Sequence, residues 1–99
     1  MSKDFGDSVK DWFEDRGLIR NSTPNDQMLK LMEEVGELSK AVAHNDDSLF
    51  IDSVGDICVV LAGMCAQKQL HFETCLLLAW DEIKDRKGHL NENGVFVKE

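Results

Sequence analysis

Proline is nearly absent from this chain, with one among 99 residues. Repeats, low-complexity tracts and Pro-rich linkers are absent too, so no seam divides the sequence. Ninety-nine residues are also too few to bury two separate cores. A single domain over residues 1–99 is therefore expected. Cysteines are few and odd in number: Cys58, Cys65 and Cys75 sit in apolar helical contexts, with no Cys-x-x-Cys and no paired histidines. Core thiols in a reducing cytosol fit this pattern better than disulfides or zinc. The N-terminus, Met1 to Asp7, is polar and predicts no signal peptide. The longest charge-free apolar run, Ile57–Ala66, has ten residues, against roughly 20 for a bilayer span. Positive charge is scarce, 11 Lys and Arg against 19 Asp and Glu, for a net charge of −8. That balance argues against a nucleic-acid polymer as partner, since polyphosphate binding is driven by Lys and Arg. A single nucleotide carried in with its metal remains compatible with it. A cytoplasmic protein without a membrane partner is expected.

What is present is helical periodicity. Phe5, Val9, Trp12 and Phe13 recur at helical spacing over about 3–15, and Gly17 closes that segment. Asn21 to Asp26 is a start signal: Thr23 can cap, Pro24 suits the first helical position, and Asp26 favours the positive helix end. A second helix then runs to about His44, with Met28, Leu31, Val35, Leu38 and Val42 as its apolar stripe. Asn45 to Ser48 forms a turn that can cap a third helix over about 49–70. A fourth, over about 72–87, carries Leu76, Leu77, Ala79, Trp80 and Ile83 and ends at Gly88. The remaining tail has turn chemistry at Asn93-Gly94 before Val95-Phe96-Val97. Short turns make neighbouring helices antiparallel. The fold class is all-α, a four-helix antiparallel bundle with a short irregular C-terminal tail. The third helix is apolar all round, which places it at the bundle centre and against a second copy of the chain.

Acid stands out against this background. Asp52 and Asp56 lie at the mouth of the most apolar helix, where a bare charge is costly to bury. Upstream, Glu33, Glu34 and Glu37 share one side of the second helix, since residues three and four apart are neighbours on a helix surface. Taken alone, the glutamates read as a solvated face. Asp52 is accounted for by helix N-terminal electrostatics, Asp56 less well. Carboxylates from two helices supply hard oxygen ligands for Mg²⁺ or Mn²⁺. The absence of Glu-x-x-His pairs excludes a ferritin-like di-iron site. Phe50, where an EF-hand loop starting at Asn45 needs glycine, excludes that loop. Lys84, Arg86, Lys87, His89, Asn91 and Asn93 form a late polar cluster. Alone they are ordinary cations at a helix end; opposite a metal they are candidates for gripping phosphate oxygens.

The order Glu34-Val35-Gly36-Glu37, then Ser53-Val54-Gly55-Asp56 before an apolar run, then Lys84-Asp85-Arg86-Lys87-Gly88 through Lys98, resembles the MazG-like all-α nucleoside triphosphate pyrophosphohydrolases. The likeness runs from about Phe5 to Lys98. One position departs from the family pattern of Glu-x-x-Glu followed by Glu-x-x-Asp: Ser53 stands where the second glutamate is usual. Asp52 can substitute by a small rotation, Ser53 can hold a metal-bound water, or the site is weakened.

The resemblance implies hydrolysis of an NTP or dNTP to the monophosphate and pyrophosphate. Glu34, Glu37 and Asp56, with Asp52 or Ser53, would hold Mg²⁺ (Mn²⁺ as alternative), and Glu33 or Glu37 would orient or deprotonate the attacking water. Lys84, Arg86 and Lys87 would stabilise the outer phosphates. Asn93 would hydrogen-bond sugar or base, and Trp12, Phe13 or Trp80 would stack on the base unless they belong to the core. It also implies a homodimer or a dimer-of-dimers tetramer with sites between subunits. Two other functions fit the sequence: a nucleotide binder with impaired turnover because of Ser53, and a helical oligomerisation module without a ligand.

Overall fold

The computed structural model describes residues 2–99. Four helices account for most of it: α1 (Phe5–Asp15), α2 (Pro24–Ala43), α3 (Asp47–Gln67) and α4 (Phe72–Ile83). The starts of α1, α2 and α3 are set by side-chain caps that satisfy otherwise unpaired first-turn N–H groups, while α4 starts at His71 without one. Asp4 Oδ1 accepts the Asp7 N–H at 2.8 Å, and Asp46 Oδ1 accepts the Leu49 N–H at 3.0 Å. At α2 the cap is reciprocal: the Asp26 N–H donates to Thr23 Oγ1 at 3.2 Å, and the Thr23 N–H donates to Asp26 Oδ2 at 3.0 Å. Pro24 occupies the first turn, where no N–H is needed. Asn45, at φ +54°, turns the chain between α2 and α3, a conformation asparagine tolerates well.

Helix α3 is the hub, because α1, α2 and α4 all pack on it. On its own α3 is long and apolar enough to cross a bilayer, beyond what its ten-residue charge-free run suggested. In the fold it buries Ser53, Val60, Ala62, Gly63 and Ala66 against its neighbours. The core proper is small: Val9, Phe13, Ala62 and Phe72, flanked by Leu18, Ile19, Cys58, Val59 and Cys65. Phe13 lies flat on α3 at Gly63, where a Cβ would collide with its ring.

The structure differs from the expected bundle in three respects. Residues 84–87 are outside α4, because the chain turns there into a hairpin of β1 (Gly88–Leu90) and β2 (Phe96–Lys98), paired antiparallel with His89 opposite Val97. The Lys87 carbonyl accepts the Glu99 N–H at 3.0 Å, which draws that residue into the hairpin. The expected irregular tail is thus ordered around Asn93-Gly94, with Gly94 at φ +75°. The cysteines are not all core residues: Cys75 is exposed, while Cys58 and Cys65 are half-buried. Nor is α3 buried all round, since Ile51, Val54 and Leu61 are exposed.

Much apolar surface is uncovered. Leu29, Met32, Leu76, Leu77, Leu78 and Trp80 are all more than half exposed. The accessible surface is 7633 Å², against about 5,700 Å² for a folded monomer of this mass. The radius of gyration is 16.1 Å, against about 13 Å for a compact domain of this length.

Substituting Gly63→Ala should lower stability by about 1–3 kcal/mol in urea unfolding, because overpacking against Phe13 outweighs the better helix propensity of alanine. An unchanged or raised midpoint would show that Phe13 does not occupy that groove.

Candidate functional site

Helix α2 packs on α3 and on no other element. Any side of α2 that loses solvent therefore loses it to α3. Glu34 is on that side, with its side chain 12% exposed, while Glu33 and Glu37 are exposed. On α3, Asp56 is half-buried, Asp52 is exposed and Ser53 is 1% exposed. The Ser53 hydroxyl oxygen is buried with no hydrogen-bond partner, and burying a hydroxyl unpaired is costly. The inward position of the first turns of α3 thus belongs to Ser53, not to Asp52. Lys30 reaches Glu34 at 3.3 Å and Glu33 at 3.5 Å; Glu34 first, then Glu33, holds its ammonium above the ordinary lysine value.

No three of these acids bring ligand atoms within 4.8 Å of one another. Carboxylates without a counter-ion repel, and among the described residues the ion pairs they make are with Lys30. Their chemistry nevertheless suits a hard cation: all donors are oxygen, and the orphaned Ser53 hydroxyl adds another. Both acid runs also contain a glycine in mid-helix. Gly36 and Gly55 are exposed, and a Cβ on either would meet nothing within 4 Å. A helix-interior glycine costs roughly 0.5–1 kcal/mol, and the packing of this chain does not account for either.

The expected phosphate-gripping residues lie elsewhere within the chain. Lys84 pairs with Asp81 at 2.7 Å and Arg86 with Glu82 at 3.1 Å. Lys87 lines a shallow cavity of about 380 Å³ with Glu82, Asp85 and Lys98. Asn93 is exposed in the hairpin turn. Neither α4 nor the hairpin touches α2, so one chain does not bring this cluster to the α2 acids. Trp12 is 45% exposed, lines an apolar cavity of about 360 Å³ with Phe5, Val9 and Val59, and stacks under the Arg16 guanidinium at 3.9 Å. Phe13 is core, and Trp80 is exposed on α4.

A second polar cluster has no counterpart in the sequence reading. Asp4, His71 and Glu73 bring three ligand atoms within 4.8 Å of one another. His71 Nε2 is 2.8 Å from Asp4 Oδ2 and 3.7 Å from Glu73 Oε1, and its Nδ1 is 3.8 Å from Asp7 Oδ1. Glu73 Oε1 also accepts the Gly6 N–H at 2.9 Å. The Asp4 hydrogen bond is the main influence raising the imidazole above its ordinary value. The Asp7 N–H, ahead of His71, lowers the Asp4 carboxyl. Asp4 and His71 are 67 positions apart in sequence, so no local spacing announces the contact.

Against this geometry, residues 22–90 match the MazG nucleotide pyrophosphohydrolase domain. The chain belongs to that family. The match holds both acidic helices and leaves out α1, a narrower span than the residue likeness from Phe5 to Lys98. The chain is also 44% identical over 69 residues, 70% of its length, to an uncharacterized 18.2 kDa protein from the rep-hol intergenic region of Haemophilus phage HP1 (strain HP1c1). It spans about two fifths of that relative's length. No solved structure matches it.

The sign of the His71 shift gives a pH dependence. A histidine raised in the folded state stabilises fully below its unfolded pKa of about 6.5, and that stabilisation is lost as pH rises through the folded value. Melting temperature should therefore fall from about pH 6 to about pH 8, with a smaller fall in His71→Gln. Equal slopes in the two proteins would show that Asp4, Asp7 and Glu73 do not act on this imidazole in solution.

Proposed function

We propose that this chain is a Mg²⁺-dependent nucleoside triphosphate pyrophosphohydrolase, releasing pyrophosphate and the monophosphate from an NTP or dNTP. The observation that carries the reading is that the family match spans α2 and α3 together, the two helices that bear Glu34, Glu37 and Asp56. These carboxylates would hold the cation, Mn²⁺ serving as a substitute, with Ser53 offering its unpaired hydroxyl and Asp52 at the exposed rim. Bound there, Mg²⁺ would neutralise the phosphate chain and lower the pKa of a water. Glu33 or Glu37 would orient that water and take its proton. The water oxygen forms a bond to the α-phosphorus as the bond to the bridging oxygen of pyrophosphate breaks, and pyrophosphate leaves. Gly36 and Gly55 keep the backbone bare beside the acids, which suits the close approach of a phosphate chain.

Lys84, Arg86 and Lys87 would grip the outer phosphates, Asn93 would bond the sugar or base, and Trp12 would stack on the base. Because neither α1, α4 nor the hairpin touches α2 within one chain, these groups would come from a neighbouring copy. The surface excess supports that. The chain exposes about 1,900 Å² more than a monomer of its mass, which is on the scale of a dimer interface. We infer a homodimer or a dimer of dimers acting in the cytoplasm, without membrane or nucleic-acid polymer as partner. A second reading, nucleotide binding with little turnover, is favoured by one feature: the inward position holds a neutral serine.

Pyrophosphate release from a panel of NTPs and dNTPs should require Mg²⁺, stop with EDTA, and fall at least about 100-fold in Glu37→Gln and in Asp56→Asn. Calorimetric nucleotide binding without product would select the second reading; neither binding nor release would end both. The double variant Gly36→Ala, Gly55→Ala should melt higher, by about 1 kcal/mol per site in a helix interior, yet release pyrophosphate more slowly. Undiminished release would mean that neither glycine makes room for substrate. Light scattering at low micromolar concentration should give a dimer or larger; a clean monomer would refute the shared site.

A further inference from the structure

Asp4, His71 and Glu73 lie where the start of α1 meets the start of α4, on helices other than those that carry the acidic pair of runs. We propose that they form a separate site for a divalent transition metal of the Zn²⁺ class, one that braces α1 to α4. Imidazole nitrogen with carboxylate oxygens is a donor set for Zn²⁺ and its neighbours rather than for Mg²⁺. Ligand atoms bonded to tetrahedral Zn²⁺ at about 2.0–2.1 Å stand about 3.3 Å apart. The His71 Nε2 distances of 2.8 Å to Asp4 and 3.7 Å to Glu73 straddle that edge.

Asp4 is also held from behind, as ligands of bound metals are. Asp4 Oδ1 is fixed by the Asp7 N–H at 2.8 Å, which leaves Oδ2 directed at His71. Glu73 Oε1, the oxygen that faces His71, accepts the Gly6 N–H at 2.9 Å. A third carboxylate, Asp7, faces the other ring nitrogen at 3.8 Å, the side from which a carboxylate orients a metal-bound imidazole. Three carboxylates around one imidazole leave negative charge in excess even when the ring is protonated, and a divalent cation would offset it. Lys3, next to Asp4 in sequence, is paired with Asp11, and Lys10 lines an open cavity of about 330 Å³ beside Asp7 and His71. That cavity adjoins the imidazole on its Asp7 side.

The test is calorimetric titration of the EDTA-stripped full chain with Zn²⁺, alongside melting. One Zn²⁺ per chain should bind, and Tm should rise by about 5 °C or more at 100-fold excess over Kd. Asp4→Asn keeps the α1 cap and Glu73→Gln keeps an acceptor for Gly6, so both should fold while losing at least about tenfold in affinity, the lower end for disturbed metal sites. His71→Gln should lose more. Cys75→Ser and Asp56→Asn should bind Zn²⁺ as the native chain does. Co²⁺ in the native protein should give visible ligand-field absorption without a thiolate charge-transfer band. The proposal is overturned by no Zn²⁺ uptake, by undiminished affinity in His71→Gln, by loss of binding in Cys75→Ser or Asp56→Asn, or by a thiolate band.

Discussion

Along its whole length α2 has a single support, α3, and that one packing contact decides what the acids of the two helices experience. Pressing α2 onto α3 takes Glu34 nearly out of water and half-buries Asp56. Among the described residues, Lys30 is the cation paired with these acids. Burying carboxylates so thinly compensated is unfavourable unless something positive joins them. In the reading proposed above, that is the metal that arrives with a nucleotide. On α3, Ser53 is buried with its hydroxyl unpaired, so a hydrogen-bonding group that reaches it satisfies an existing demand.

The rest of the architecture is consistent with a unit that is completed by another copy. A small core built on Val9, Phe13, Ala62 and Phe72 is enough to fix α1 on α3. It leaves most large side chains of α4 in water, among them Leu77 at 67% and Trp80 at 60% exposure. A helix with such a face gains by association, since exposed contiguous apolar surface marks an interaction site. The basic segment after Ile83 lies between α4 and the hairpin, neither of which touches α2 within the chain, and a partner offers a way to unite the two halves of the proposed site. Packing and chemistry thus make the same demand.

Local signals in the sequence were legible where the physics is local. The Thr23-Pro24-Asn25-Asp26 start appears as a complete reciprocal cap, and Gly17 takes the positive φ expected of a closing glycine. The acids at 34, 37 and 56 could be placed on facing helices from spacing alone. Less legible was anything decided by tertiary contact. The apolar Ile57–Ala66 run implied burial on all sides, yet one chain covers only part of it. Gly88-His89-Leu90 is too short to show alternation, and its pairing with Phe96–Lys98 follows from the Asn93-Gly94 turn. The Asp4–His71 contact joins residues 67 apart in sequence, and nothing in either neighbourhood names the other.

That a cation belongs between α2 and α3 can be tested without turnover. In the His71→Gln protein, where the cluster at the start of α4 is silenced, Mn²⁺ would be titrated into the amide NMR spectrum. Paramagnetic broadening should appear first at residues 33–37 and 52–56, on both helices together. Broadening that spares those residues, or none at millimolar Mn²⁺, would contradict a metal site in the α2–α3 seam and leave its carboxylates as an ordinary acidic surface.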